Sequence, residues 1–157
     1  MAAAPLLPVR LASPDRHIEV AFTLSADGDP RYSVLLSGKT VLNESRLGLV
    51  RKDADFSRAL KLVNVSPEHT YHDEYELLTI KRRHNVYDAN QRTIELETAD
   101  GKKIQIQFSV SNDGVAFRYQ FPENNTAVHY IQSEASSFNF PADTHAWLEA
   151  ATRPLRA

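Results

Sequence analysis

Cysteine is absent from the 157 residues. That excludes disulfides, thiolate metal ligands and a cysteine nucleophile, while leaving the redox compartment open. Glycine is scarce, with five residues, and no G-x-G-x-x-G or G-x-x-x-x-G-K string occurs to cradle a phosphate. No G-x-S-x-G elbow surrounds a serine, which removes the usual signature of a Ser/His hydrolase. No apolar run approaches the roughly 18 residues that span a bilayer as a helix. Neither sign of charge dominates, since 18 Lys and Arg meet 20 Asp and Glu for a net charge of −2. A nucleic-acid binder's basic footprint is therefore missing.

What remains is an ordinary globular composition, 42% hydrophobic and 24% charged, at a length that suits one domain. Residues 1–10 (MAAAPLLPVR) read as a disordered leader. No Lys or Arg precedes the apolar part, and Pro5 and Pro8 interrupt it, so it makes a poor signal peptide. Residues 11–149 are the expected domain, and 150–157 an irregular tail.

The dominant period is two. His17–Leu24 sets Ile18, Val20, Phe22 and Leu24 on one face, the pattern of a half-buried strand. The turn cluster 26–30 follows, and Arg31–Ser37 returns as the second strand of a hairpin. Arg92–Thr98, Lys103–Val110 and Val115–Phe121 alternate in the same way. Asp100-Gly101 is read as a two-residue turn and Asn112-Asp113-Gly114 as the next, which makes a β-meander. Asp53–Val65 carries apolar residues at both helical and near-strand spacing, and its β-rich flanks favour a loop to about Ser57 and then a strand. Glu76–Ile80 and Val86–Tyr87 read as short strands. No clean long helix and no repeat is visible. The fold class is all-β, an antiparallel sandwich whose alternating rows need a second sheet to cover them, with a closed barrel as the other architecture.

Chemistry is thinly marked. His69, His72 and Glu74 are zinc-ligand types, but His69 and His72 would point to opposite faces of a strand, and a solvated loop is the expected setting. The acidic residues fall in turns or on polar strand faces, so no pair stands out for glycoside hydrolysis. Two sequons, at Asn43 and Asn124, carry little weight alone. Tyr71, Tyr75, Tyr87 and Trp147 could stack on sugar rings. Tyr75 and Trp147 are the carbohydrate-binding candidates, with core or interdomain packing the expected role for Trp147.

Several strings together resemble the N-terminal domain of glycoside hydrolase family 97. They are Ser13-Pro14-Asp15, Ser45-Arg46-Leu47-Gly48-Leu49, Asn112-Asp113-Gly114-Val115-Ala116-Phe117-Arg118-Tyr119 with Phe121-Pro122, and the segment Phe138-Asn139-Phe140-Pro141-Ala142-Asp143-Thr144-His145-Ala146-Trp147. Residues 75–82 are similar to the α-glucosidase branch. Arg16 and Ile80 depart from the pattern, each standing where a turn glycine is usual.

The resemblance implies an incomplete β-super-sandwich of the galactose-mutarotase type, packed in the parent enzyme against a (β/α)₈ barrel. It implies α-glucosides or α-galactosides as substrates, barrel-end glutamates as the catalytic groups and a bound calcium ion, all outside this chain. Periplasmic or secreted location is implied too. No residue here is given a catalytic or metal-binding role. The alternative is a free-standing carbohydrate-binding sandwich. Part of the family sandwich is expected to be missing, and exposed strand edges predict marginal stability for the chain expressed alone.

Overall fold

A computed structural model describes residues 8–78 and 83–147. Twelve strands run in chain order: β1 (Val9–Ala12), β2 (Ile18–Leu24), β3 (Pro30–Leu36), β4 (Lys39–Arg46), β5 (Leu49–Arg51), β6 (Ala54–Asp55), β7 (Lys61–Val65), β8 (His69–Glu76), β9 (His84–Glu97), β10 (Lys103–Ser111), β11 (Gly114–Gln120) and β12 (Ile131–Glu134). The described residues contain no helix.

The first sheet has the antiparallel order β1-β2-β3-β4. The second runs β11-β10-β9, with β7 and β8 both pairing with β9. The small third sheet, β12-β5-β6, stands beside them.

Alternation places the core. Val20, Phe22 and Leu24 of β2 face Ile94, Leu96, Ile104, Ile106, Phe108 and Val110 of β9 and β10 within one buried cluster. Rings bridge the two sheets: Phe108 lies 6.4 Å from Phe22 and 6.2 Å from Tyr32. Val115, Phe117, Tyr119 and Phe121 pack partly buried against that cluster. Each fully buried aliphatic or aromatic side chain is worth roughly 1.5–3 kcal/mol, so two mutually covering sheets are stable where one would not be. The expected sandwich is present.

Residues 53–65 resolve the two competing periods. β7 is the expected strand, and Phe56 and Leu60 are buried in loops that cap the core. Ala59 has φ 53°, which no α-helix tolerates. The loop also contains the two-residue strand β6.

Four boundaries differ from the sequence reading. Val9 and Arg10 belong to β1 rather than to a leader; residues 1–7 lie outside the described residues, as do Ile80 and the tail 150–157. The Asp100-Gly101 turn is a three-residue loop. Thr98 donates to the Lys102 carbonyl at 2.9 Å, Gly101 donates to the Thr98 carbonyl at 3.0 Å, and Gly101 takes φ 82°. The short strand at Val86–Tyr87 and the strand from Arg92 are one 14-residue strand, β9. Of the strand read at Glu76–Ile80, Glu76 closes β8, Leu77 and Leu78 lie past its end, and residues 79–80 lie outside the described residues.

Arg16, the residue in place of a turn glycine, has φ 63°. An L side chain in that region costs roughly 1–2 kcal/mol, partly offset by the stiffer unfolded chain. Arg16→Gly is therefore expected to stabilise by about 0.5 kcal/mol, read as a raised thermal midpoint. Arg16→Ala keeps the strain, and an equal gain from that variant would show the reasoning to be wrong.

Candidate functional site

Three surfaces of the sandwich gather chemistry-bearing side chains. The first is polar and structural. Arg51 is 0% exposed along its side chain. Its Nε and Nη2 donate to Asp53 at 2.9 and 2.8 Å, and its Nη1 and Nη2 donate to Glu123 at 2.8 and 3.1 Å. The guanidinium also lies 4.6 Å from the Phe121 ring and 5.3 Å from the Phe56 ring. These hydrogen bonds raise Arg51 further above its already high value. They hold Asp53 down to about 2, and Glu123 below the usual carboxylate range. His129 and Lys102 complete the rim, His129 at 3.1 Å from Glu123 and Lys102 at 3.7 Å from Asp53.

A glycosidase acid needs a raised pKa. Here Asp15, Asp53, Asp55, Glu95, Asp100 and Glu123 are all held low. For Asp55, burial pushes upward, but hydrogen bonds from Ser57 and Arg58 outweigh it. These carboxylates are locked as anions in structural pairs.

The second surface is an apolar mouth where β3 and β4 oppose β11. Tyr32, Val34, Val41, Val115, Phe117 and Phe138 line it, and Phe138 stacks on Phe117 with centroids 6.5 Å apart. Burial pushes the Tyr32 hydroxyl up to about 12, and that hydroxyl donates to the Ser137 carbonyl at 3.2 Å.

The third surface is the outer face of the five-stranded sheet, where the tyrosines of β8 and β9 project. Every residue of β8 is exposed, so His69 and His72 occupy a solvated strand rather than the expected loop. His72 and Glu74 do share a face, 3.3 Å apart, and Asp88 approaches His72 Nδ1 at 2.6 Å. Hydrogen bonding by Asp88, then by Glu74, raises the imidazole's pKa. Among the described residues, no group of three or more His, Cys, Asp or Glu is arranged to hold a metal ion.

Tyr75 and Trp147 are on the surface. Tyr75 stands on β8, 44% exposed, and Trp147 is 92% exposed beyond the last strand. Trp147 is therefore not part of the core. Tyr71 and Tyr87 do meet, edge to face at 6.2 Å.

The strings singled out in the sequence lock onto one another. Asn112 Oδ1 accepts from the Asp15 backbone N–H at 3.1 Å, and Ser45 Oγ accepts from the Asn139 N–H at 2.9 Å. The Gly48 N–H donates to the Tyr119 hydroxyl at 2.7 Å. Within the first string, Ser13 Oγ donates to Asp15 at 2.6 Å, and Asp15 accepts from the His17 N–H at 3.0 Å. Their function is to tie loops to sheets.

Geometry of this kind defines a β-sandwich whose buried polar groups hold its loops to its sheets. Residues 11–155 match the family model described as Glycosyl-hydrolase 97 N-terminal, and the chain belongs to that family.

A "Probable retaining alpha-galactosidase" of Streptomyces bingchenggensis (strain BCW-1) is 32% identical over 116 residues, covering 74% of this chain and 18% of that protein. The crystal structure of a beta-arabinopyranosidase superposes with TM-score 0.79 at 34% identity, over 85% of this chain and 21% of the other. A glycoside hydrolase family 97 enzyme from Pseudoalteromonas sp. strain K8, in complex with panose, gives TM-score 0.75 at 25% identity, over 85% and 20% respectively. The chain thus spans about a fifth of the length of these relatives.

Proposed function

We propose that this chain is the N-terminal, non-catalytic part of a longer glycoside hydrolase and packs against a catalytic (β/α)₈ barrel. In this reading its sheets continue as the super-sandwich of the galactose-mutarotase type. The longer enzyme cleaves an α-glucoside or α-galactoside with glutamates at the barrel end. Calcium belongs to the full-length enzyme, with a glutamate of its N-terminal domain beyond residue 157 among the ligands, and the whole protein works in the periplasm or outside the cell. The carrying observation is the family match over residues 11–155 in a chain about a fifth as long as its relatives. The low-held carboxylates support the same division of labour.

The second reading is a free-standing sugar-binding sandwich that uses Tyr75 and Trp147, and their exposure favours it. Sequencing the DNA beyond the Ala157 codon in all three frames separates the two. A downstream barrel with acidic strand ends is expected. The polypeptide containing it should hydrolyse a p-nitrophenyl α-glucoside or α-galactoside, and the 157-residue chain neither. Finding no barrel, or turnover by the short chain, would refute this assignment.

A further inference from the structure

We propose that the outer face of the five-stranded sheet carries an oligosaccharide-binding cleft built around Tyr71 and Tyr87, away from Tyr75 and Trp147. Strand parity creates it. Ile94, Ile104, Ile106 and Phe108 point into the core, so Gln91, Gln107 and Ser109 point outward. Ser109 stands opposite Gln91, and Gln107 opposite Arg118. Tyr71 pairs with Ala89, and Tyr87 lies two residues earlier on the same strand, so the two rings share that outer face.

The resulting cleft has a volume of about 360 Å³, is lined by Tyr71, Tyr87, Gln91, Gln107, Ser109 and Arg118, and includes neither Tyr75 nor Trp147. That size lies at the lower end of small-molecule clefts, roughly 300–1,000 Å³.

Its polar groups are oriented in advance. The Tyr87 hydroxyl lies 3.2 Å from Ser109 Oγ, and Gln91 Nε2 donates to the same oxygen at 3.3 Å. Arg118 Nε donates to Gln107 Oε1 at 2.7 Å. Gln91 Oε1, Gln107 Nε2 and the terminal nitrogens of Arg118 have no protein partner among the described residues. An acceptor and several fixed donors therefore stand beside two aromatic rings, with no carboxylate among the lining residues.

A sugar satisfies all of this at once, laying C–H faces on the rings while its hydroxyls both donate and accept. An apolar partner would leave the amides and guanidinium unpaired. A multiply charged anion would find a single cation. The place of the cleft rests on geometry, and only the choice of probe sugars rests on the hydrolase reading.

The test is calorimetric titration of the 157-residue chain with maltotriose and with raffinose. Saturable binding of at least one is expected. Tyr71→Ala and Gln107→Ala should each weaken it about tenfold, with unchanged urea midpoints, while Trp147→Ala leaves it intact. No saturable binding by a chain that unfolds cooperatively, or binding indifferent to both cleft variants, overturns the proposal.

Dilute protein allows a second measurement. The bound sugar should protect Tyr71 and Tyr87, but not Tyr75, from nitration read by mass spectrometry. Equal nitration with and without sugar also overturns the cleft. A missing downstream barrel leaves these measurements standing, whereas a barrel with no protection defeats the cleft alone.

Discussion

An Arg51→Leu chain is expected to lose about 3 kcal/mol of unfolding free energy, visible as a lower urea midpoint. The guanidinium is fully enclosed, and it bridges Asp53 to Glu123 with four hydrogen bonds. Removing one member of such a set leaves the others uncompensated, which costs far more than replacing the whole set with apolar residues. Leucine also forfeits the stacking on Phe56 and Phe121. Arg51→Lys should recover little, because an ammonium group is a point charge without the planar fork that engages two carboxylates.

The same cluster sets an acid limit. Arg51 holds Asp53 and Glu123 below their ordinary values, so their contribution is fully present above the unfolded pKa and is lost as the pH falls. For Asp53 the loss runs from 3.8 down to about 2. The wild-type chain should weaken across that window, and Arg51→Leu should weaken much less there. Equal acid sensitivity of the two chains would contradict the clamp.

Gly48→Ala should be at least as damaging, at roughly 3–5 kcal/mol, from about 1–3 kcal/mol of backbone strain and a comparable cost of overpacking. Gly48 has φ 133°. A Cβ there would lie 2.5 Å from both the Phe56 carbonyl oxygen and Ser57 Cα. Those atoms are backbone and cannot rotate aside. Displacing them would disturb the buried Phe56, while the Gly48 carbonyl holds the Ala135 N–H at 2.9 Å. Gly101→Ala is the control: its φ is 82°, with nothing within 4 Å of the added carbon, so strain alone should cost about 1–2 kcal/mol. Denaturant melts that rank the two variants equally would show that crowding at Gly48 is relieved elsewhere.

The strands written as clean alternation, β2, the second half of β9, β10 and β11, were legible in the sequence because each packs one face against the core. β4 was not. Leu42 and Ser45 are both buried although three residues apart, and the β3–β4 register shifts between Tyr32 and Leu35. Such bulges destroy the period on which strand reading depends. β8 and β12 escaped for a different reason, since neither buries a single residue and a strand without a buried face has no pattern to show.

The aromatic candidates divided likewise. Tyr75 and Trp147 could be named from residue type, but the meeting of Tyr71 with Tyr87 depends on cross-strand register. The Arg51 clamp joins residues 72 positions apart, a separation no local pattern records. Ser45, Gly48, Asn112 and Asn139 stood out as strings before their hydrogen bonds could be known.

Those loop-to-sheet bonds have a consequence for the order in which the molecule can be made. The Asp15–Asn112, Ser45–Asn139 and Arg46–Ser137 links close spans of 97, 94 and 91 residues. A chain emerging from the ribosome therefore lays down β1 to β4 long before the groups that fasten them have been synthesised. Contacts of such long range fold slowly, because the entropy of closing the loop is lost before the contacts are gained. The nascent first sheet must wait with its apolar face open, so chaperone demand should peak during translation and ease once residue 139 has cleared the exit tunnel.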